Sequence, residues 1–230
     1  MKKTIFAIIP ARGGSKRIKR KNIKNFNGRP MIYWTLKKIK KSGLFKKIIV
    51  STEDKEIKIK SLKFGADIVI DRSKHLADDI TGTQDVIKHA INFLKKKNFK
   101  FDFVFCIYPC TPFLQILDLK KALSIKNNQS KFVFPVVEYS HPIQRSMRFR
   151  KNRDLYFLDE KSGNCRTQDL EKTFHDAGQF YLANKETWLS SKKMHSYSKG
   201  IILPSWRVVD IDNEDDWKRA ENLSKTLSIS

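Results

Sequence analysis

Short apolar runs alternate with longer amphipathic stretches through the first half of the chain. Thr4 to Ile9 (TIFAII) is continuously apolar, which is typical of a strand covered on both faces of a sheet. Similar runs follow at KIIVST (47–52), ADIVI (66–70) and FDFVFCIYP (101–109). We therefore predict four buried strands in this part of the chain.

Between these runs, the apolar positions recur at helical spacing. The segment from Pro30 to Gly43 places apolar side chains three or four positions apart, with proline at its first position and glycine as its stop. A charged helix is predicted at about 55–64, and an amphipathic helix at 84–97. Strands that alternate with helices in this way predict a mostly parallel sheet with right-handed crossovers.

The second half of the chain has a different texture. Residues 138–168 are polar, rich in arginine and hairpin-like, and we predict an arm that protrudes from the core, with EKSGN (160–164) as its turn. The segment WRVVDIDNEDDWKRAENL (206–223) predicts a strand followed by a helix. We expect one α/β domain over residues 1–230, in which ligands bind at the carboxyl ends of the strands.

Composition narrows the class of protein. Of the 230 residues, 40% are hydrophobic, and no apolar run approaches the roughly 20 residues that a membrane helix needs. The three cysteines are too few and too scattered for a disulfide framework, and the N-terminus predicts a first strand better than a signal peptide. We expect a cytoplasmic protein without a membrane partner.

The formal net charge of +23 raises the alternative of a nucleic-acid-binding protein. However, the lysines occur in pairs on nearly every predicted helix, as in LKKIKKS and FLKKKNFK, instead of gathering on one segment. No zinc finger, helix-turn-helix or RNP-like pattern accompanies them. Solvated helix faces therefore account for most of the charge, and we expect no nucleic-acid partner.

The loop after the first strand, PARGGSKRIKRKN, combines a glycine pair with many basic side chains. It matches neither the P-loop nor the GxGxxG pattern. Gly13 and Gly14 would let the backbone approach a phosphate closely, and cationic side chains would neutralise a triphosphate; they are Arg12, Lys16, Arg17 and Lys21. The alternative, a solvated basic loop, explains the lysines but not a glycine pair directly after a buried strand.

Two carboxylates stand two positions apart near the C-terminus, in VVDIDNEDDW. On an extended chain, Asp210 and Asp212 project to the same side and would repel each other. A Mg²⁺ ion would relieve that repulsion, because it prefers carboxylate and phosphate oxygens. For Asp215 and Asp216 we favour a simpler role, stabilising the N-terminus of the last helix.

These motifs together resemble the CMP-sialic acid synthetase family, the cytidylyltransferases that activate nonulosonic acids. IIPARGGSKRIKRKN, STEDKEI, DRSKHLADD and the Asp-x-Asp pair all fit, so the resemblance covers nearly the whole chain. The family has a Rossmann-like nucleotide-diphospho-sugar transferase fold, uses CTP and is dimeric. The resemblance implies the same fold, a homodimer joined by the arm at 138–168, and a Mg²⁺ cofactor.

The resemblance also implies roles for individual residues. Arg12, Lys16 and Lys21 would act on the phosphates, with Asp210 and Asp212 on the metal, and these five would be catalytic. The nucleotide would be bound by Ala11, Arg12, Gly13, Gly14, Ser15, Lys21, Asn22, Arg72 and Thr83. The sugar would be bound by Tyr108, Arg166, Gln168, His175, Asp176 and Gln179, although a purely structural histidine remains the alternative for His175.

Within the family, the chain is most similar to the branch that activates pseudaminic acid. The segments that carry this likeness are LADDITGTQDVIKHAI, YPCTPFL, HPIQRSM and RTQDLEKTFHDAGQFY. Sialic acid enzymes typically have glutamine in place of Tyr108. This chain departs from the branch at Ile80, where histidine is usual, and at Cys110–Thr111, where threonine and alanine are usual; these departures leave open the same reaction on N-acetylneuraminic or legionaminic acid.

Overall fold

The computed structural model describes residues 3–125 and 131–227, so the ends and a short internal part of the predicted 1–230 domain lie outside the described residues. The strands in chain order are β1 (Ile5–Pro10), β2 (Asn25–Phe26), β3 (Arg29–Pro30), β4 (Lys47–Thr52), β5 (Ile68–Asp71), β6 (Phe103–Ile107), β7 (Phe132–Glu138), β8 (Met147–Phe149), β9 (Leu155–Phe157), β10 (Phe174–Asp176), β11 (Phe180–Asn184) and β12 (Ser198–Ile202). The α-helices are α1 (Met31–Ser42), α2 (Lys55–Lys63), α3 (Thr83–Lys96), α4 (Ile116–Ile125), α5 (Glu160–Gly163), α6 (Lys185–Leu189) and α7 (Glu214–Thr226). The four strands and three helices predicted in the first half are confirmed, with ends that move by a few residues.

Eight strands form the central sheet, in the order β10-β7-β11-β6-β1-β4-β5, and β12 pairs with β7 beside this path. The neighbours of β1, which are β4 and β6, run parallel to it, and β5 runs parallel to β4. By contrast, β11 is antiparallel to both β6 and β7, and β10 is antiparallel to β7. The sheet is therefore mostly parallel, as predicted, with two reversed strands on the side formed by the second half of the chain.

Both faces of the sheet are covered, which explains why β1 is apolar at every central position. Ala7 and Ile9 point into the core under α1, α2 and α4, where they meet Leu36 of α1. Phe6 and Ile8 point to the other face, into the core that α3 and α6 cover. Alternate side chains of one strand thus fill two separate cores, and the carboxyl ends of the strands remain open at one edge.

The turn predicted for the arm is wrong. The β8–β9 hairpin turns at Arg150–Asp154, where the Arg150 amide donates to the Asp154 carbonyl at 2.8 Å. EKSGN instead forms α5, because Asp159 caps its first turn by accepting from the Lys161 amide. Side-chain capping therefore makes a helical turn of a segment whose composition favours a hairpin.

The strand predicted just before the last helix is also wrong. A single 3-10 turn at Ser205–Arg207 precedes an unpaired segment that continues to Asn213. The strand β12, which ends shortly before this segment, already pairs with β7, and Pro204 follows β12 closely. The last helix is confirmed as α7, and Asn213 and Asp216 form a capping box at its start. The role favoured for Asp216 is therefore confirmed.

In the part of the chain that the structure describes, no helix has both the length and the apolar character that crossing a bilayer would require.

Candidate active site

A cavity of about 340 Å³ opens where β1 and β6 end at their carboxyl edges. Four chain segments meet there: the loop after β1, the loop after β6, the turn between β10 and β11, and the unpaired segment before α7. The lining residues are Pro10, Arg12, Ser15, Lys16, Arg17, Ile18, Lys21, Asn22, Tyr108, Pro109, Cys110, Gly178, Asp210, Ile211 and Asp212. The basic loop and the carboxylate pair, which are about 190 residues apart in sequence, thus face each other across one cavity.

Buried apolar side chains hold the basic loop against the carboxylate segment. Ile18, which is 1% exposed, stands among lysines and arginines but packs in a cluster with Ile211 and with Trp217 of α7. Ile211 is equally buried and lies between the two acidic residues. Successive side chains of this extended segment point to opposite sides. Ile211 therefore points into the apolar cluster, while Asp210 and Asp212 line the cavity.

A second set of contacts fixes the base of the loop. Asn22 is buried, and its Nδ2 donates to the Arg12 carbonyl at 2.7 Å, across the loop. The Cys110 thiol donates to Asn22 Oδ1 at 3.1 Å, and burial raises the pKa of Cys110 to about 12. The thiol is therefore neutral at physiological pH and serves as a hydrogen-bond donor from the wall of the cavity.

The four loop cations that were predicted to neutralise a triphosphate each pair with a carboxylate. Arg12 and Lys16 both reach Asp79, at 2.7 and 2.6 Å, and Arg12 also donates to the Asp78 carbonyl. Arg17 and Lys21 both reach Asp212, at 3.0 and 3.4 Å. Asp79 and Asp212 therefore each pair with two of these four cations.

Asp210 differs from Asp212, which has two cationic partners. Burial, and then the nearby charge of Asp212, raise the pKa of Asp210, and these effects outweigh the favourable field of Lys21. Lys21 therefore compensates the negative charge of Asp210 only in part. Only glycine fits at position 178 without crowding Asp210, since a Cβ there would lie 3.1 Å from the Asp210 carboxyl atoms.

The glycine pair behaves differently from the prediction in one respect. The Gly13 amide, which was expected to face a phosphate, donates to the Glu53 carboxylate at 2.6 Å. A Cβ at Gly13 would lie 2.6 Å from Asp54, whose side chain caps α2 and pairs with Arg20. Gly13 therefore allows close packing of the loop on the start of α2, whereas Gly14 has open space around it.

The other residues predicted for the nucleotide lie beneath or beside the cavity. Ala11 is fully buried and its amide donates to the Ser51 carbonyl at 2.9 Å. Arg72 is buried and donates to the same carbonyl at 2.7 Å, and burial lowers its pKa. Thr83, the first residue of α3, shares a 2.8 Å hydrogen bond with the Tyr108 hydroxyl.

The residues predicted for the sugar divide into two groups. Tyr108 lines the cavity, and burial raises its pKa to about 12. Asp176 and the buried Gln179 flank Gly178, which lines the same wall, and the Tyr108 amide donates to the Gln179 carbonyl at 2.9 Å.

The second group lies outside the cavity lining. Arg166 and Gln168 are exposed on the arm, where Arg166 pairs with Asp169 at 2.7 Å. The His175 ring packs on Tyr139 with centroids 4.9 Å apart, and its Nδ1 contacts the Asp176 carbonyl oxygen at 2.9 Å. Within this single chain, the structure therefore brings the loop, Tyr108 and the two carboxylates together, but not the arm residues.

A family model described as cytidylyltransferase matches residues 6–220, a span that includes both the basic loop and the carboxylate pair. The chain belongs to the cytidylyltransferase family. The cavity of this cytidylyltransferase therefore lies in the part of the chain that defines the family.

Individual relatives cover the chain almost completely. The pseudaminic acid cytidylyltransferase of Campylobacter jejuni is 40% identical over 95% of this chain and 95% of its own length. The CMP-N,N'-diacetyllegionaminic acid synthase of Legionella pneumophila is 31% identical over 95% of each chain. A solved CMP:2-keto-3-deoxy-manno-octonic acid synthetase complexed with CTP covers 97% of this chain and 99% of its own, with a TM-score of 0.68 at 14% identity. At that identity the likeness concerns the fold, and it confirms the Rossmann-like α/β class predicted from the sequence.

Several residues that build the site of this cytidylyltransferase were missed by sequence reasoning. Asp79 was not predicted to meet the loop, and neither Gly178 nor Cys110 was predicted to line the cavity. The sequence did contain a signal for the packing of the loop. Ile18 and Ile211 are isolated isoleucines flanked by charged residues, and a single apolar side chain in a charged stretch often packs into the core. Asp79 left no such signal, since its partner Arg12 is 67 positions away in the sequence.

Proposed function

We propose that this cytidylyltransferase transfers CMP from CTP to pseudaminic acid, and that CMP-pseudaminic acid and pyrophosphate are the products. The Campylobacter jejuni relative supports the sugar, because its identity of 40% extends over nearly the full length of both chains. The product would serve glycosylation of surface glycans or flagellin. The same reaction on legionaminic or N-acetylneuraminic acid is the alternative.

The observation that carries this proposal is the cavity with cations on one wall and two carboxylates on the other. In the reaction, the anomeric hydroxyl of the sugar attacks the α-phosphorus of CTP, and pyrophosphate leaves. Negative charge grows on the leaving phosphates, so fixed cations accelerate the step by electrostatic stabilisation. Arg12, Lys16 and Lys21 are the cations that we assign to this task, with Arg17 beside them.

The donor set also fits a Mg²⁺ ion. Asp210 and Asp212 supply carboxylate oxygens on one side of the cavity, and the raised pKa of Asp210 reflects a negative charge that a cation would offset. When bound, Mg²⁺ would supply neutralisation of the phosphate oxygens and hold them in position. Among the described residues no cluster of three or more acidic, histidine or cysteine side chains could hold a metal alone, so phosphate oxygens would complete the coordination.

The two halves of the product would lie on opposite sides of Tyr108. We assign the cytidine half to Ala11, Asn22, Arg72 and Thr83, with the backbone at Gly13, Gly14 and Ser15 near the phosphates. Tyr108, Asp176 and Gln179 form the side that we assign to the sugar, together with His175, which precedes Asp176 in β10. Arg166 and Gln168 would reach a sugar from the arm of a homodimer, with Arg166 as the partner of the sugar carboxylate.

We also propose the cytoplasm as the compartment, with no nucleic-acid partner. The three cysteines are unpaired, which fits a reducing compartment.

Pyrophosphate release from CTP and Mg²⁺ tests the proposal, with pseudaminic, legionaminic and N-acetylneuraminic acids offered in parallel. We expect the highest kcat/KM with pseudaminic acid, no release without a sugar, and loss of release when EDTA removes the metal. Preference for another acid would overturn the proposed sugar but keep the reaction. A folded protein that releases no pyrophosphate with any acid would overturn the reaction itself, and a steep salt dependence of binding to random DNA would then support the nucleic-acid alternative.

A further inference from the structure

The carboxylate of Asp176 accepts hydrogen bonds from three donors. The Gly178 amide donates to Oδ1 at 2.8 Å, the Tyr181 hydroxyl donates to Oδ2, and His195 Nε2 contacts the same Oδ2 at 2.8 Å. Because an ionised carboxylate only accepts, Nε2 is the nitrogen of His195 that carries a hydrogen here. The orientation of the Asp176 carboxylate is therefore fixed by three parts of the chain: the turn that follows Asp176, the strand β11, and the segment that contains His195.

Two of these contacts lead directly to the cavity. Gly178 lines it, adopts φ +61° and stands so close to Asp210 that any side chain at this position would crowd the carboxyl group. Tyr181 meets Tyr108 edge to face, with ring centroids 5.6 Å apart, and Tyr108 lines the cavity as well. The position of Asp176 thus determines the wall that we assign to the sugar.

His195 reaches Asp176 from outside that wall. It lies between α6 and β12, in a segment to which the sequence assigned no function, and its side chain is 61% exposed. Its ring packs against Phe134 and Tyr181, with centroid distances of 5.4 and 5.8 Å, and it does not line the cavity. A residue in this place acts on a substrate only through Asp176 and the two tyrosines.

We propose that His195 is a positioning residue for the sugar side of the reaction, acting through Asp176 on the Gly178 turn and Tyr108. The proposal rests on the function proposed above. Without the Nε2 donor, Oδ2 of Asp176 keeps a single protein partner and faces solvent on the side that His195 covers. The carboxylate can then rotate toward water and release the Gly178 turn.

Four variants test this role: His195→Phe, His195→Gln, Tyr181→Phe and, as a matched control, Lys193→Gln. Phenylalanine keeps a ring against Phe134 and Tyr181 but removes the donor, whereas glutamine retains an N–H. Lys193 is exposed in the same segment. The measurements are kcat, KM for CTP and KM for each acid that the wild type turns over, together with the melting temperature of every variant.

Loss of one hydrogen bond to a carboxylate predicts a KM for the sugar that rises about tenfold in His195→Phe. Tyr181→Phe should shift the same constant in the same direction. KM for CTP should stay within about twofold, His195→Gln should recover most of the loss, and Lys193→Gln should match the wild type.

Three outcomes would overturn the positioning role. They are an unchanged sugar KM in His195→Phe, equal rises in both KM values accompanied by a lower melting temperature, and a Lys193→Gln variant as impaired as His195→Phe. A wild type inactive on all three acids would instead remove the proposed function and, with it, the sugar site that His195 is inferred to position. The two failures are distinguishable, because the first appears only in the variants and the second already in the wild type.

Discussion

Gly13 and Gly14 are adjacent in sequence, yet their α-carbons have different surroundings. Asp54 stands against Gly13, while nothing lies within 4 Å of a Cβ built at Gly14. A sequence pattern shows a glycine pair and cannot distinguish its two members. The distinction depends on a capping residue 41 positions later, which a local pattern does not reveal.

We therefore expect Gly13→Ala to lower the free energy of unfolding by about 1–3 kcal/mol, as overpacking does in well-packed sites. Gly14→Ala is the matched control and should change it by less than about 0.5 kcal/mol. Urea unfolding followed by circular dichroism measures both. Equal effects of the two substitutions would show that the Asp54 side chain can move away from an added Cβ at position 13 without a cost in stability.

Asp210 offers a second prediction at the residue scale, in which activity and stability move in opposite directions. Its pKa is raised in the folded protein by burial and by Asp212, so ionisation of Asp210 opposes folding. Asp210→Asn should lower kcat by about 10²–10³, yet raise the melting temperature at neutral pH.

The effect of Asp210 on stability depends on pH. A group with a raised folded pKa contributes stability below its unfolded pKa, near 3.8, and loses it as the pH rises through the folded value. The stabilising effect of Asp210→Asn should therefore appear as the pH rises above about 4 and vanish in more acidic solution. Melting curves from pH 3 to pH 8 would measure this, and a variant less stable than the wild type at pH 7 would contradict it.

The elements that sequence predicted correctly are those whose signals are local. β1, α1 and α3 are specified by apolar periodicity and by stop residues such as Gly43, which adopts φ +63°. The segment before α7 has the β-branched composition of a strand. However, a strand also needs a neighbour with which to pair, and β12 already pairs with β7. Asp210 and Asp212 nevertheless line the same cavity. The side chains of an extended segment alternate between its two sides, whether or not the segment pairs with another strand.

The loop at 77–82 provides a prediction at the scale of elements. In the free chain, Asp79 from this loop pairs with Arg12 and Lys16, two cations that we assign to phosphate. Triphosphate must displace Asp79 to reach them. Asp79→Asn should therefore lower KM for CTP by about two- to fivefold, because the two exposed ion pairs that the triphosphate has to break contribute only a small free energy.

A matched control for this loop is Asp71→Asn, whose carboxylate pairs with Lys58 on the outer side of β5. It should leave KM for CTP unchanged. Isothermal titration with CTP and Mg²⁺ at two salt concentrations would separate binding from turnover. A weaker affinity in Asp79→Asn would mean that Asp79 contributes to the bound state instead of competing with it.

At the scale of the molecule, the arm is one of the places where large apolar side chains meet solvent. The hairpin of β8 and β9 exposes 53% of Met147, 71% of Phe149 and 54% of Leu155. Scattered exposed apolar residues are ordinary, but a hairpin that carries several of them is typical of an interaction surface. The change of texture in the sequence distinguishes residues 138–168 from the core, whereas the conformation of EKSGN depends on a helix cap that composition does not reveal.

From the proposal that the arm joins a homodimer, we expect replacement of Phe149 and Leu155 together by aspartate to give a monomer that turns over poorly, since Arg166 and Gln168 lie on the same arm. Both side chains are exposed and pair across the hairpin, so the change should leave the melting temperature nearly unaltered. Leu62→Asp, on the exposed side of α2, is the control and should remain dimeric. Sedimentation velocity measures the state, and a fully active monomer would defeat the proposal.

The arm also carries a natural chemical handle. Cys106 and Cys110 are shielded, and burial raises the pKa of both thiols, whereas Cys165 is exposed beside α5. Alkylating reagents attack the thiolate, so a maleimide dye should label Cys165 alone in the folded wild-type protein. Fluorescence from that one position would report when the arm meets another surface, without any engineered cysteine and without disturbing the cavity.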